Sequence, residues 1–247
     1  MKLSRSWTLT MKEFAVFKKK KYIIYSLVAL PIILAVLLPG TILFTTSWRT
    51  LPPGQLVVVL SILRSDSAIF VILSGILPSV IGSYSIIGEK VEKSLEPLLG
   101  TPATDSELLL GKALAAFIPT LGATYAGAGL YIVLVDGITY GHLKYLLLPD
   151  WGTAVILLLV APLACIFSVE FNVMISARVN DIRSAQQLGS LVVLPLLAIF
   201  ILGEANALAI DAYNMLIVAG LLLVASIALS FAARATFSRE EILTKWK

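Results

Sequence analysis

The chain has 247 residues, of which 58% are hydrophobic and only 14% charged, and its mean hydropathy is +0.94. Soluble domains are usually about 45–50% apolar and about 25% charged, so this composition excludes a soluble fold and indicates an integral membrane protein. The formal net charge of +4 is spread along the chain rather than concentrated on a soluble face, so it does not support nucleic-acid binding.

Residues 1–21 are predicted to form an amphipathic interfacial helix. Thr10 and Glu13 have the spacing of an N-terminal capping box, and four consecutive lysines follow them. A helix of this kind suits the inner leaflet, where anionic lipids attract lysine. Its expected lipid-facing residues are Trp7, Met11 and Phe14.

Six apolar runs are long enough to cross a bilayer core of about 30 Å, which requires roughly 20 helical residues. They cover residues 22–44, 67–88, 108–135, 151–177, 184–203 and 212–233. The apolar stretch Leu51–Leu63 is too short to span and begins Leu-Pro-Pro-Gly, so we expect a separate outer interfacial or re-entrant piece there. The predicted fold is therefore one all-α transmembrane domain with six spans. Small residues predict close helix packing on the second and third spans, at Gly75, Ser79, Ser83, Ala123 and Gly127.

The distribution of basic residues predicts that both termini are cytoplasmic. With that orientation, sixteen of the 19 Lys and Arg residues lie inside, and only Arg49, Arg64 and Lys144 lie outside. Residues 89–107 and the tail 234–247 are then cytoplasmic, in a multi-pass protein of the cell membrane. The tail contains another candidate capping box, from Ser238 to Glu241.

The cytoplasmic stretch between the second and third spans is unusually polar. Residues 91–99 predict a short helix with leucines on one side and an acidic ridge, Glu89, Glu92 and Glu96, on the other. Gly100-Thr101-Pro102 ends this helix, and a capping box from Thr104 to Glu107 starts the next one, from which Lys112 is expected to snorkel to the headgroups. Such a helix suits either the headgroup layer or a partner protein, and its acidic face favours a basic groove on a protein.

The motif EKVEKSLEPLLGTPATDSELLLGK, residues 89–112, resembles the cytoplasmic signature of the membrane subunits of type-two ABC exporters. The likeness extends over the chain through the six spans, the basic N-terminal segment and residues 176–195 between the fourth and fifth spans. The resemblance implies that residues 89–107 form a coupling helix that docks on a separate ATP-binding subunit. It implies a complex of two membrane subunits, as a homodimer or heterodimer, with two ATPases that bind ATP and Mg. The implied contact residues are Glu89, Glu92, Leu95, Glu96, Leu98, Leu99, Thr101 and Pro102. The short outer segment between the fifth and sixth spans departs from the larger members of that family.

The chain is not expected to be an enzyme by itself. Its only Gly-Lys pair is followed by Ala113 and lacks the earlier glycine of a phosphate-binding loop. Cys165 and His142 are the only residues of their types, which excludes an intrachain disulfide, Cys/His metal sites and a histidine-dependent triad.

Apart from Lys112, which lies near the start of the third span, Glu170 is the one charged residue inside a predicted span. An ionisable residue in the membrane is a candidate functional site, and the alternative is a structural contact with Arg178 or with a neighbouring helix. An ion-coupled secondary transporter that uses Glu170, or a non-transporting membrane scaffold, therefore remains an alternative to an ATP-driven permease. The apolar and hydroxyl side chains of the spans fit a hydrophobic drug, peptide or lipid better than a small anion.

Overall fold

The computed structural model describes residues 3–19, 21–45, 53–91, 104–179, 181–204 and 210–236, and all regular secondary structure within these ranges is helical. The helices are α1 Leu3–Lys19, α2 Lys21–Leu37, α3 Pro39–Thr45, α4 Pro53–Val91, α5 Asp105–Leu143, α6 Trp151–Val155, α7 Ala161–Arg178, α8 Ile182–Ser190, α9 Val193–Glu204 and α10 Ala212–Thr236, with a π-helical segment Ile156–Val160 between α6 and α7. Among the described residues, six helical stretches are long and apolar enough to cross a membrane, which confirms the predicted all-α fold. They are Ile23–Phe44, Leu56–Glu89, Asp105–Leu143, Trp151–Ser176, Ile182–Gly203 and Ala212–Ala233.

The first span consists of two helices, because Pro39 interrupts it. Proline has no amide hydrogen to continue the ladder, so α2 ends at Leu37 and α3 begins at Pro39. The amide of Leu38 still donates to the Leu34 carbonyl at 2.9 Å, and the amide of Thr41 donates to the Leu38 carbonyl at 2.9 Å. The two helices therefore remain joined by hydrogen bonds across the break.

The expectation of a separate outer piece at residues 51–63 is wrong for the part that is described. α4 runs without interruption from Pro53 to Val91. Proline is tolerated in the first turn of a helix, where its missing amide would have had no partner, and no proline or glycine follows Gly54 until Gly75. Its 39 residues extend about 58 Å, roughly twice the thickness of the hydrocarbon core, so α4 continues beyond the membrane.

The fourth span contains the π-helical segment because Pro162 follows it. The Leu158 carbonyl cannot receive the usual hydrogen bond from residue 162, which has no amide hydrogen. The ladder widens there, and the Ala161 amide donates to the Ile156 carbonyl. The wider turn joins α6 and α7 into one continuous membrane-spanning stretch.

α4 is the central helix of the bundle, since it supplies residues to three buried apolar clusters. One lies against α1, α2, α5 and α7, the second against α2, α3 and α5, and the third against the π-helical segment, α9 and α10. A Cβ atom on Gly75 would lie 2.4 Å from Leu196 Cδ1, and one on Gly127 would lie 2.6 Å from Pro31 Cβ. These contacts confirm the close packing predicted at both glycines. We call the end of the bundle where α4 finishes and α5 begins the inner end.

Candidate coupling junction at the inner end

Two helices lead into and out of the predicted coupling segment: α4, which ends at Val91, and α5, which begins at Asp105. The Thr104 hydroxyl accepts a hydrogen bond from the Glu107 amide at 3.3 Å, and the Thr104 amide donates to Glu107 Oε2 at 3.1 Å. This reciprocal pair confirms the capping box predicted from the sequence. It satisfies amide groups at the start of α5 and sets the point where the chain re-enters the bundle.

Four charged side chains meet where α1 crosses these two helices, and we call Lys12, Glu13, Glu89 and Lys112 the stem junction. Lys112 Nζ lies 3.1 Å from Glu13 Oε1 and 3.4 Å from Glu89 Oε1. Lys12 Nζ approaches the same Glu89 oxygen at 3.1 Å. Two positive and two negative charges balance, and the ammonium group of Lys112, whose side chain is only 3% exposed, bridges α1 and α4.

α1 lies against α5 through small and polar residues. The Thr10 hydroxyl donates to the Gly111 carbonyl at 3.0 Å. A Cβ atom on Gly111 would lie 2.8 Å from Leu9 Cβ and 2.9 Å from the Ser6 carbonyl oxygen, so only glycine permits this approach. The polar face of α1 therefore points into the protein. Trp7 remains exposed, as expected of a residue in contact with lipid.

The free energy that the ion pairs of the stem junction contribute depends on how deeply they are buried. An exposed ion pair contributes about 0–1 kcal/mol, and the contact of Lys12, whose side chain is 47% exposed, belongs to this class. Removing one partner from a buried pair costs about 3–5 kcal/mol, because the other charge is left in a low-dielectric environment. The contacts of Lys112 belong to the second class, so they attach α1 firmly to both stems of the predicted coupling segment.

Two expectations about this region are wrong. Lys112 does not snorkel to the headgroups, because Glu13 and Glu89 hold its ammonium group inside the protein. Thr10 and Glu13 do not form a capping box, because α1 begins at Leu3. They lie within that helix and contact α5 instead, Thr10 through Gly111 and Glu13 through Lys112.

One residue of the predicted ATPase contact is described, and its carboxylate is turned into the chain. Glu89 is 7% exposed, and its contacts are with Lys12 and Lys112. Whether it also contacts an ATPase stays a prediction. The other residues of that set lie outside the described part of the chain, namely Glu92, Leu95, Glu96, Leu98, Leu99, Thr101 and Pro102, and so does the candidate capping box from Ser238 to Glu241.

The burial of Lys112 could have been predicted from the sequence pattern. Leu108, Ala115 and Ala116 follow a helical spacing and are all buried, and Lys112 falls on the same stripe. A lysine on a buried stripe requires an acidic partner, because a charge is almost never fully buried without one. The pattern indicates that a partner exists, although it does not identify Glu13.

Glu170 contacts a neighbouring helix, which is one of the structural alternatives predicted for it. The Ser230 hydroxyl, on α10, donates to Glu170 Oε1. This contact joins α7 to α10 near the inner end. The side chain also lines a groove between α5, α7 and α10.

Further polar residues are buried near the opposite end, where the sequence had indicated no charge inside a span. Asp66 accepts hydrogen bonds from Thr41 Oγ1 at 3.0 Å and from the Tyr131 hydroxyl at 3.4 Å. Asp136 accepts from the amides of Leu147 and Leu148 at 2.9 and 3.0 Å. Asp66 thereby links α4 to α3 and α5, and Asp136 holds the loop that follows its own helix, α5.

The loop before the fourth span is attached to α4 by an ion pair. Arg64 Nε donates to Asp150 Oδ2 at 2.8 Å, and Asp150 Oδ1 also accepts from the Thr153 amide at 2.9 Å. Burial tends to raise the pKa of Asp150, but hydrogen bonds from Thr153 and Arg64 outweigh this and hold the pKa below its usual range. Asp150 therefore stays ionised and both caps α6 and links it to α4.

The comparison with protein families gives a match to the ABC-2 family transporter protein over residues 7–215. This range begins in α1, contains the whole stem junction and ends in α10. The chain belongs to the ABC-2 transporter family. No curated protein matches it.

Membership of the ABC-2 family defines the general role of the chain. It is a multi-pass membrane component of an ABC transporter, of a kind that normally has no catalytic activity of its own and generally works with an ABC ATPase subunit. The stem junction of this ABC-2 chain lies at the two ends of the segment that the sequence predicts to meet such a subunit.

Proposed function

We propose that this chain is the permease subunit of an ATP-binding cassette exporter in the cell membrane. In this proposal it forms the substrate path at the interface with a second membrane subunit, and two separate ATPase subunits bind ATP and Mg. Both termini lie in the cytoplasm. The observation that carries the proposal is the stem junction, which attaches α1 to both helices that flank residues 92–103.

The junction gives a physical route for coupling. A force applied to residues 92–103 reaches α4 beside Glu89 and reaches α5 through the capped first turns before Lys112. Because Lys112 binds both Glu89 and Glu13, the two stems and α1 move as one body rather than sliding past one another. α4 then carries the displacement into the three apolar clusters, which close packing makes resistant to compression.

The acidic ridge supplies the expected ATPase contact. Glu92 and Glu96 would face a basic groove on the ATPase, and Leu95 would bury its side chain in the same interface. Charged groups of opposite sign across an interface set orientation and partner choice, and placing like charges together costs several kcal/mol. Burying an unpaired carboxylate where a leucine packs is also unfavourable.

The test is coexpression of the chain with its ABC ATPase and measurement of copurification and ATP hydrolysis. We expect the double variant Glu92→Lys/Glu96→Lys to insert normally but to lose copurification and stimulation of ATP hydrolysis. Leu95→Asp should give the same result by a different route. Glu204→Lys, the same reversal on the predicted outer side, is the control and should behave as the wild type.

The outcomes separate this proposal from its rivals. If both coupling variants bind the ATPase and stimulate it normally, residues 92–103 are not the coupling site. A membrane scaffold would bind partners without changing ATP hydrolysis. Transport that a proton or sodium gradient drives in the absence of any ATPase, and that Glu170→Gln abolishes, would identify an ion-coupled transporter instead.

A further inference from the structure

One side of α1 carries apolar residues that the described part of the chain leaves exposed. Leu3, Trp7 and Met11 follow one another at four-residue intervals, and their exposed fractions are 72%, 51% and 51%. Residues at this spacing lie on one side of a helix. Phe14, which the sequence had grouped with Trp7 and Met11, packs instead against the buried apolar cluster that α1 shares with α5. We call Leu3, Trp7 and Met11 the apolar stripe.

Two ion pairs show which way the apolar stripe points. Arg5 Nη1 lies 3.8 Å from Glu107 Oε2, at the start of α5. Lys12 Nζ lies 3.1 Å from Glu89 Oε1, near the end of α4, so both basic residues point towards the inner end. At 3.6 residues per turn, Arg5 and Lys12 lie about 140–160° around the helix from Trp7. The apolar stripe therefore points away from the inner end, towards the membrane core.

Two further basic residues, at the end of α1, have no acidic partner within the described part of the chain. Lys18 and Lys19 are both exposed, and the single acidic residue of α1, Glu13, is buried on the other side of the helix. Lys18 follows Met11 by seven positions, so it lies on the same side as the apolar stripe. The two lysines precede Ile23, where the first span begins, by five and four positions, which is the level of the lipid headgroups.

We propose that α1 binds anionic phospholipids of the inner leaflet in preference to zwitterionic ones. The apolar stripe enters the upper acyl-chain region, and Lys18 and Lys19 pair with the anionic headgroups, the arrangement by which amphipathic helices lie in a membrane surface. Each lysine near an anionic leaflet strengthens such attachment by about fivefold. Because the stem junction joins α1 to α4 and α5, this contact fixes the height of both helices relative to the leaflet. The choice of leaflet rests on the proposed function, which places the N-terminus in the cytoplasm.

The experiment measures which lipids collect around α1 when the purified full chain is held in phosphatidylcholine nanodiscs. A bimane label on Met11→Cys reports on the apolar stripe, since the native Cys165 is buried and out of reach of the label. Two lipids carry a nitroxide quencher at the same place on one acyl chain, one with a phosphatidylglycerol headgroup and the other with a phosphatidylcholine headgroup. We expect the anionic lipid to quench roughly threefold more strongly at low salt, and high salt to remove the difference.

The variant Lys18→Gln/Lys19→Gln should make quenching by the two lipids equal. The matched control, Lys18→Arg/Lys19→Arg, keeps both charges and should preserve the difference. Ala15→Cys, also at an exposed position of α1, carries the label if Met11→Cys does not fold.

Three results would overturn the proposal. Equal quenching by the two lipids with both lysines present would exclude a preference for anionic lipid, and weak quenching by both would place the apolar stripe outside the membrane. Loss of ATPase copurification in detergent by Lys18→Gln/Lys19→Gln would show that this side of α1 contacts the ATPase instead. The quenching measurement contains no ATPase and is the same for either orientation, so failure of the permease proposal leaves its result unchanged.

Discussion

Replacing Lys112 with methionine tests whether the stem junction holds α1 in place. Methionine has nearly the same length and fills the same space, so the change removes the charge and little of the packing. Glu89 keeps Lys12 at 3.1 Å, but Glu13 loses the ammonium group that lies 3.1 Å from its carboxylate. The variant therefore leaves one carboxylate in a buried position without its counter-charge.

The size of the effect follows from burial. Breaking a buried pair costs about 3–5 kcal/mol, and we expect about 3 kcal/mol here because the Glu13 side chain, 11% exposed, retains some access to water. For a chain of this length each kcal/mol lowers Tm by about 2–4 °C, so the expected decrease is about 6–12 °C. The double variant Glu13→Gln/Lys112→Met should regain about 1–2 kcal/mol, because it leaves no charge unpaired at that contact.

Thermal unfolding in detergent, followed by circular dichroism, measures these differences. Lys19→Met, at an exposed position at the end of α1, is the matched control and should leave Tm unchanged. If Lys112→Met unfolds at the same temperature as Lys19→Met, the buried ion pairs contribute nothing and the coupling route through the junction loses its basis. If the double variant is as unstable as the sum of its single variants, the two residues are not coupled.

Further predictions follow from particular contacts. Gly111→Ala should lower Tm and expose α1 to proteolysis, because the added Cβ would lie 2.9 Å from the Ser6 carbonyl oxygen. The control Gly122→Ala, with open space around it, should do neither. Equal behaviour of the two variants would contradict the close approach of α1 to Gly111. The pKa of Asp150 is lower in the folded chain, so its contribution to stability is present above the unfolded pKa of about 4 and is lost as pH falls through the folded pKa. Asp150→Asn should remove this acid-dependent loss of Tm, and an unchanged pH profile would exclude Asp150 as its source. Single cysteines should resist an impermeant thiol reagent in intact cells at positions 20, 95, 181 and 245 and react at positions 50, 142 and 206; labelling of position 95 from outside would reverse the predicted orientation.

Features that depend on neighbouring residues were predictable from the sequence. Composition and run length were sufficient for the membrane class and the six spans, because a helix in lipid must satisfy its own backbone and cover itself with apolar side chains. The capping box at Thr104 and Glu107 was predicted correctly for a related reason. Its hydrogen bonds join residues three positions apart, and the helix-breaking Gly100-Thr101-Pro102 comes just before them in the sequence. The same spacing at Thr10 and Glu13 forms no capping box, because those residues lie within α1.

Contacts between distant residues depended on how the helices pack. Lys112 and Glu13 are 99 positions apart, and α1 brings them together only when its polar face is turned towards α5. The exposed Trp7 was consistent with the sequence pattern, but that pattern contains no information about what the opposite face meets. The Glu13 carboxylate could equally have faced water, and the acceptor at Gly111 that orients Thr10 exists only in the assembled bundle.

The continuity of α4 and the burial of its charged residues also depend on contacts with distant parts of the chain. The apolar stretch at residues 51–63 is too short to span a membrane and begins Leu-Pro-Pro-Gly, which favoured a separate outer piece, and Arg64 and Asp66 follow it in the sequence. Asp150, Thr41 and Tyr131 supply partners to these two residues from other parts of the chain, so the helix continues through them. The periodicity of one segment specifies which side chains share a face, whereas burial of a charge depends on a partner that another helix must supply.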